Sequence, residues 1–273
     1  MKHRTASAIA RHAVLAAGSV VVVVPFLWMF TTSLQTRAET YTNTSILPTS
    51  WHWENYARAW AAAPFAQYYA NSLIMAAGIV AGHLLFDALA AYAFARLDFP
   101  LKKTLFTLLL AGLMVPTFVT VIPAYTIVAN LGWIDTYTAL IVPRLADVFG
   151  IILLRQYFAT IPLELEEAAR IDGCSRAGTF FRVVVPLSTP AFATLAIFSF
   201  LFAWNDFLWP LLVTNNDDMR TIQLGLASFV GRYGTSWNYL MAGTLTATIP
   251  SIIVFLFFQR ALVRGIATTG LKD

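Results

Sequence analysis

The chain is short of charge and nearly devoid of cysteine. Only 12% of its 273 residues are Asp, Glu, Lys or Arg, against roughly 25% in soluble domains. With 58% apolar and 14% aromatic residues, a water-soluble helical protein would have nowhere to put its apolar surface. The composition therefore points to a membrane. A lone cysteine, Cys174, excludes an internal disulfide and any cysteine-rich metal site. Basic residues stand singly between apolar runs, which offers nucleic acid no continuous footprint. The sequence has no G-x-x-x-x-G-K-[ST] phosphate loop, no H-E-x-x-H and no G-x-S-x-G, and its four histidines are dispersed. Catalytic residues, bound metal and bound cofactor are accordingly not expected, and ATP hydrolysis is excluded as an activity of this chain.

What is present is a series of six apolar stretches, near 12–34, 71–95, 104–128, 138–158, 187–213 and 239–259. Each is about the 20 residues needed to cross a bilayer, so the expected fold is an all-α polytopic membrane protein, one domain over residues 1–273. The fourth stretch is the weakest, because Arg144 and Asp147 lie within it. The first follows a basic start but lacks a small-x-small cleavage site, so it reads as a span and not as a cleaved signal. Thirteen of the eighteen Lys and Arg residues fall on one side: before the first span, between the second and third, between the fourth and fifth, and after the sixth. That asymmetry places both termini and the 159–186 connector in the cytoplasm. On the outer side, loop 35–69 is aromatic (Trp51, Trp53, Tyr56, Trp60) and loop 214–238 opens with Asn215-Asn216-Asp217-Asp218. Either loop suits an external partner or interfacial anchoring in lipid.

The polar 159–186 connector stands out between two apolar spans. Thr160-Ile161-Pro162 reads as a helix entry, with a capping hydroxyl and an early proline. Glu164, Glu166 and Glu167 then load acid onto the positive end of the helix dipole. Ala168 and Ala169 leave a surface without bulk, where another protein can approach closely. Gly173, after Asp172, can end the helix in a left-handed conformation, and Ser175 can cap a second short helix running through Phe180 and Phe181 to Pro186. The expected product is a helix–turn–helix at the membrane surface. Its Leu163, Ile171, Phe180 and Phe181 either fill a groove in a partner or fold back on the spans.

Glu167-Ala168-Ala169, Gly173 and Val183-Val184-Val185-Pro186 together resemble the signature loop of ABC importer permeases. Asp172 before the glycine, Ala203-Trp204-Asn205-Asp206, the run Ala90 to Leu97 and the tail from Gly265 to Asp273 are similar to the transmembrane permease subunits of carbohydrate importers of the maltose type. The resemblance implies the type I ABC importer permease fold in a prokaryotic inner membrane. It implies a coupling helix seated in a cleft on a cytoplasmic ATPase dimer, which binds ATP and magnesium. It implies a second permease chain completing a pseudo-twofold heterodimer, and an extracytoplasmic solute-binding protein. Glu164, Glu167, Ala168, Ala169, Asp172, Gly173 and Pro186 are then the coupling residues, with Glu167 pairing a basic group of the ATPase. The tail with Gly265 and Gly270 reaches toward the ATPase pair.

Ionisable groups inside spans are costly, about 2.5–3.5 kcal/mol each on insertion scales, and default to functional roles. Trp204, Asn205, Asp206, Asp147 and Asp87 are therefore candidates for a solute pathway, Asp206 first. An aromatic face with amide and carboxylate acceptors suits a polyhydroxylated ligand. The competing reading is a hydrogen-bonded helix–helix cluster, with the fifth span broken by Pro210. Asp147 and Arg144 have the spacing of a local i,i+3 pair, and Asp87 has the chemistry to pair with a neighbouring helix. Gly78-x-x-x-Gly82 is a close-packing motif, and Pro116, Pro123 and Pro250 are expected to kink their helices. The primary expectation is a permease subunit importing a sugar or oligosaccharide. The alternatives are the same scaffold carrying glycerophosphodiesters, amino acids or peptides, and an ion-driven secondary transporter using the membrane aspartates. No basic residue in the spans stands out as a phosphate-binding pore lining.

Overall fold

The computed structural model describes residues 2–42, 45–231 and 234–269, with side chains from Arg11 to Gln259. The all-α expectation holds. In chain order the helices are α1 Lys2–Ser33, α2 Glu39–Thr42, α3 Glu54–Ala61, α4 Phe65–Gly82 and, after a π-helical turn His83–Asp87, α5 Ala88–Arg96. There follow α6 Lys102–Gly112, α7 Thr117–Asn130, α8 Tyr137–Ile141 with a 3₁₀ turn Val142–Arg144, α9 Val148–Thr160 and α10 Leu163–Ile171. The remainder comprises α11 Arg176–Thr179, a π-helical turn Phe180–Val184, α12 Val185–Leu187, α13 Thr189–Trp204, α14 Leu208–Val213, α15 Ile222–Ala227 and α16 Trp237–Thr269. Strands β1 Val230–Gly231 and β2 Gly234–Thr235 pair antiparallel before α16.

Three helical runs are long and apolar enough to cross a bilayer unbroken: Arg11–Ser33, Phe65–Arg96 and Trp237–Gln259. The third and fourth expected spans are bent pairs, α6 with α7 at 101° and α8 with α9 at 44°. A further bent pair, Arg176–Leu187 with α13 at 79°, joins the end of the expected connector to the start of the fifth span, giving up to six spans if each pair counts as one. The breaks have local causes. Pro116 lies in extended conformation (ψ 134°) at the α6–α7 corner, whereas α7 and α16 continue through Pro123 and Pro250. The fourth span is not the continuous 138–158 helix expected. Asp147 is extended (φ −135°, ψ 137°), and its carboxylate accepts from Phe149 N at 3.2 Å as the N-cap of α9. The fifth is broken not by Pro210 but at Asn205–Phe207. Asn205 turns its amide back to the Leu201 carbonyl (2.8 Å) and Asp206 accepts from Trp209 N (3.2 Å). Pro210 sits in the first turn of α14, where its missing N–H costs nothing.

Two compact units emerge. In Met1–Ala66 with Gly225–Ile249, α1 exposes Val20 to Leu27 as a lipid-suited face and, among the described side chains, buries its last residues Thr31–Ser33, followed by buried Leu34. Asn55 ties that end down, donating to the carbonyls of Ser33 (2.9 Å) and Gln35 (2.8 Å), and Phe65 stacks on Phe229 at 5.4 Å. In Gln67–Leu224 with Pro250–Asp273, one core joins Ala88, Ala91 and Tyr92 of α5 to Leu154 and Phe158 of α9, Phe180, Val184 and Leu195. A second joins Met75 and Ile79 of α4 to Val128, Leu140, Ala203, Trp209 and Val213. The Gly78/Gly82 motif is used here. A Cβ on Gly82 would stand 2.8 Å from the Leu145 carbonyl oxygen, and one on Gly78 2.8 Å from Ile141 Cδ1.

Candidate functional site

The 159–186 connector folds as a helix–turn–helix. Its entry differs from expectation: Thr160 bonds the Tyr157 carbonyl (2.7 Å) in its own helix, and Pro162 occupies the N-cap of α10 without a side-chain cap. Thr160 belongs to the last turn of α9, so its hydroxyl points back along that helix. The exit is as read. Gly173 has φ +86°, and Cys174 N returns to the Ala169 carbonyl at 2.9 Å, a closure that a left-handed residue makes possible. Ser175 caps α11 by accepting from Gly178 N at 3.1 Å. The second helix is interrupted by the π-helical turn and reaches α12, with Pro186 exposed.

The two faces of α10 differ. Leu163, Glu164, Leu165, Glu167, Ala168, Ile171, Asp172 and Gly173 are exposed, with Ile171 at 86%, and Phe181 joins them. This outward surface is apolar and acidic, with one exposed base, Arg170, in the last turn, and it is without bulk at Ala168. Ala169 is half-buried and Glu166 is fully buried (0% exposed). Glu166 Oε1 lies 2.6 Å from Arg96 Nε, and Tyr92 donates to its Oε2 at 3.0 Å. Arg96 also donates to the Ile161 carbonyl. Phe180 folds back onto Tyr92 (ring centroids 5.0 Å) and Phe158 (6.3 Å). The sequence reading treated Glu166 as one acid among three. No local signal separates it from Glu164 and Glu167, because its partner Tyr92 lies 74 positions away in the chain.

The second candidate region is a cavity of about 510 Å³, lined among others by His83, Arg144, Asp147, Ser199, Phe202 and Trp209. Its polar groups are mutually engaged. The imidazole Nε2 of His83 lies 2.9 Å from the Arg144 carbonyl and so donates to it, and Nδ1 lies 2.7 Å from Ser199 Oγ. Asp87, fully buried, accepts from Asp147 N at 2.9 Å. The expected Asp147–Arg144 pair is replaced: Asp147 caps α9, and Arg144 pairs with Asp206 at 3.1 Å. The Arg144 guanidinium also lies over the rings of Phe202 (5.2 Å) and Trp209 (5.7 Å).

Of the five pathway candidates, Asp147 lines this cavity, Asp206 stands behind Arg144, and Asp87 holds the Asp147 backbone. Asn205 is exposed and bonded to its own helix. Trp204 offers no free aromatic face: it is 2% exposed, stacked on Phe200 at 5.6 Å and edge-on to Tyr69 at 5.7 Å. The aromatic lining of the cavity is instead exposed Phe202, with Trp209, as buried as Trp204, behind the Arg144 guanidinium. Arg144 is also a basic lining group that the sequence reading did not single out. Of the tail residues, Gly265 lies within α16 and Gly270 lies outside the described residues.

A scaffold of apolar helices carrying this connector has the architecture of a membrane transport component. The chain belongs to the family described as binding-protein-dependent transport system inner membrane component, whose model matches residues 76–268. It is 37% identical over 255 residues to the probable ABC transporter permease protein YurM of Bacillus subtilis (93% of this chain, 85% of that one). It is 35% identical over 264 residues to the sn-glycerol-3-phosphate transport system permease protein UgpE of Yersinia enterocolitica (93% and 94%). With the diacetylchitobiose uptake system permease protein NgcG of Streptomyces coelicolor it shares 32% over 260 residues (94% and 86%). Its fold matches a chain of a bacterial ABC transporter involved in import of the acidic polysaccharide alginate, with TM-score 0.82 and 22% identity over 93% of this chain and 95% of that one. The permease fold expected from the connector is therefore the fold observed.

Proposed function

We propose that this chain is the membrane-spanning permease subunit of an ATP-driven importer that takes up a sugar or oligosaccharide. The observation that carries the reading is the outward face of α10, where Leu163, Leu165, Glu167, Ala168 and Ile171 are exposed together on a helix anchored from behind. Apolar side chains at a polar connector gain stability when a partner covers them, and Glu167 offers that partner a carboxylate for a basic group. The partner fitting this surface is a cytoplasmic ATPase dimer holding ATP and magnesium. The connector and both termini then face the cytoplasm, as the distribution of basic residues predicts. A second permease chain completes a pseudo-twofold pathway, and an extracytoplasmic binding protein delivers the solute. Closure of the ATPase pair moves α10 as a rigid body and alternates access to a site between the spans.

The cargo class follows from the cavity. Arg144 is neutralised by Asp206 and lies over Phe202 and Trp209. The wall thus combines aromatic surface with hydrogen-bonding groups at no net charge from that pair, which suits an uncharged glycan better than a phosphate ester. The diacetylchitobiose relative is named for such a cargo. Gentle purification of the tagged chain from its native membrane, with mass spectrometry of what accompanies it, tests the reading. A second six-span chain and an ATPase are expected. A clean single chain, stable without partners, would overturn it and favour an ion-driven transporter.

A further inference from the structure

The back of α10 is tied to α5 by groups that docking of a partner does not require. Arg96, the last residue of α5, contacts both Glu166 in the middle of α10 and the carbonyl of Ile161, two residues before that helix begins. Tyr92, one helical turn earlier on α5, donates to the other oxygen of the same carboxylate at 3.0 Å. All of this is sealed by Phe158, Phe180 and Val184, each at most 3% exposed. We propose that Arg96, Glu166 and Tyr92 are positioning residues that lock α10 to the end of the second span, so that the two move as one piece during the transport cycle. The inference rests on α10 being the coupling helix.

Stability alone does not account for this arrangement. A buried ion pair is often no more stabilising than apolar side chains of similar volume. It differs from an apolar contact in that the two charges hold each other at 2.6 Å, while the Tyr92 bond to Glu166 and the Arg96 bond to the Ile161 carbonyl supply direction. The connection makes three contacts at two points, two at Glu166 and one at the Ile161 carbonyl, which resists the sliding that an apolar seam alone would leave. A push on Glu167 and Ala168 from outside therefore reaches Ala88–Arg96, the cytoplasmic end of the second span, without being absorbed by slippage.

The test uses the complex as purified with its ATPase and partner permease, and needs only ATP and vanadate. With Cys174→Ser as background, spin labels at exposed Leu89 on α5 and at exposed Pro162, the N-cap of α10 and outside its docking face, report their separation by electron–electron resonance. The expected result is one narrow distance, unchanged between the nucleotide-free and vanadate-trapped states. A distance that changes between those states overturns the proposal. In the same background, Arg96→Met with Glu166→Leu preserves volume and removes the ion pair. That complex is expected to assemble and hydrolyse ATP, while its label distance broadens and shifts on trapping. An assembled double variant with the wild-type distance in both states also overturns the proposal, and if the variant does not assemble the wild-type distance decides. Absence of any ATPase from the purified complex defeats the coupling-helix reading itself, an outcome separate from the others.

Discussion

Arg144 and Asp206, far apart in sequence, form a 3.1 Å ion pair at breaks in two different spans, and Phe202 and Trp209 pack against the guanidinium. Both side chains are largely buried, so each needs the other. Removing one partner leaves a charge in a low-dielectric wall, at a cost of roughly 3 kcal/mol. Arg144→Ala and Asp206→Asn should each lower the unfolding midpoint in detergent. Arg144→Met with Asp206→Leu should lower it less than the sum of the singles, a coupling that a double-mutant cycle measures directly. Additive losses would show that the pair is not an energetic unit.

The outward face of α10 makes the opposite prediction. Glu167 and Ala168 are exposed, so Glu167→Lys or Ala168→Trp should leave the stability of the chain within about 0.5 kcal/mol. Both should abolish transport and strip the ATPase from the purified complex, because one reverses a docking charge and the other adds bulk at a close approach. Retention of the ATPase at wild-type stoichiometry in both variants would remove α10 as the docking surface.

Two glycines should respond oppositely to alanine. At Gly82 the new methyl meets the Leu145 backbone, and backbone yields poorly, so Gly82→Ala should cost about 1–3 kcal/mol. At Gly112 nothing lies within 4 Å of the methyl, so Gly112→Ala should be neutral or gain up to about 1 kcal/mol from the lower entropy of the unfolded chain. Thermal unfolding of the two variants side by side checks this.

Gly173 is surrounded by open space but has φ +86°. Substitution there should cost backbone strain and not packing, about 1–2 kcal/mol for a β-branched residue and less for Asn. Gly173→Val should therefore destabilise more than Gly173→Asn, with the difference localised by hydrogen exchange to the α10–α11 turn.

Glu39, in the 35–69 loop, accepts hydrogen bonds from the side chains of Thr49 and Thr36 and from their backbone N–H groups. Led by the Thr49 hydroxyl, these hold its carboxyl well below the ordinary 4.5, at about 2. A carboxyl with a depressed folded pKa contributes stability above its unfolded pKa and loses it as pH falls through the folded one. Protection of the Thr36 and Thr49 amides from hydrogen exchange should thus fall between about pH 4.5 and 2, and Glu39→Gln should abolish that dependence.

Local features were legible in the sequence, and long-range polar pairings were not. The span pattern, the left-handed Gly173 and the Ser175 cap follow from periodicity and short-range chemistry, which residues within a few positions determine. The Tyr92–Glu166 bond joins positions 74 apart, and Arg144 reaches Asp206 only because both spans break where they do. Asp147 shows the failure most clearly. Read as part of a continuous helix, it faces Arg144 one turn away; with an extended backbone it instead caps α9. Trp204 and Trp209 could not be told apart by residue type. The break at Asn205–Phe207 decides which of them meets the cavity.

The most direct test of the central claim is photo-crosslinking from Ile171, a large side chain 86% exposed at the C-terminal end of α10. A benzophenone amino acid at this exposed position of α10, illuminated in native membranes, should yield one major adduct. Mass spectrometry should identify the captured protein as a subunit carrying a phosphate-binding loop. Labelling confined to lipid, or to a protein without nucleotide-binding machinery, would contradict the account of α10 as the site where ATP-driven motion enters the membrane.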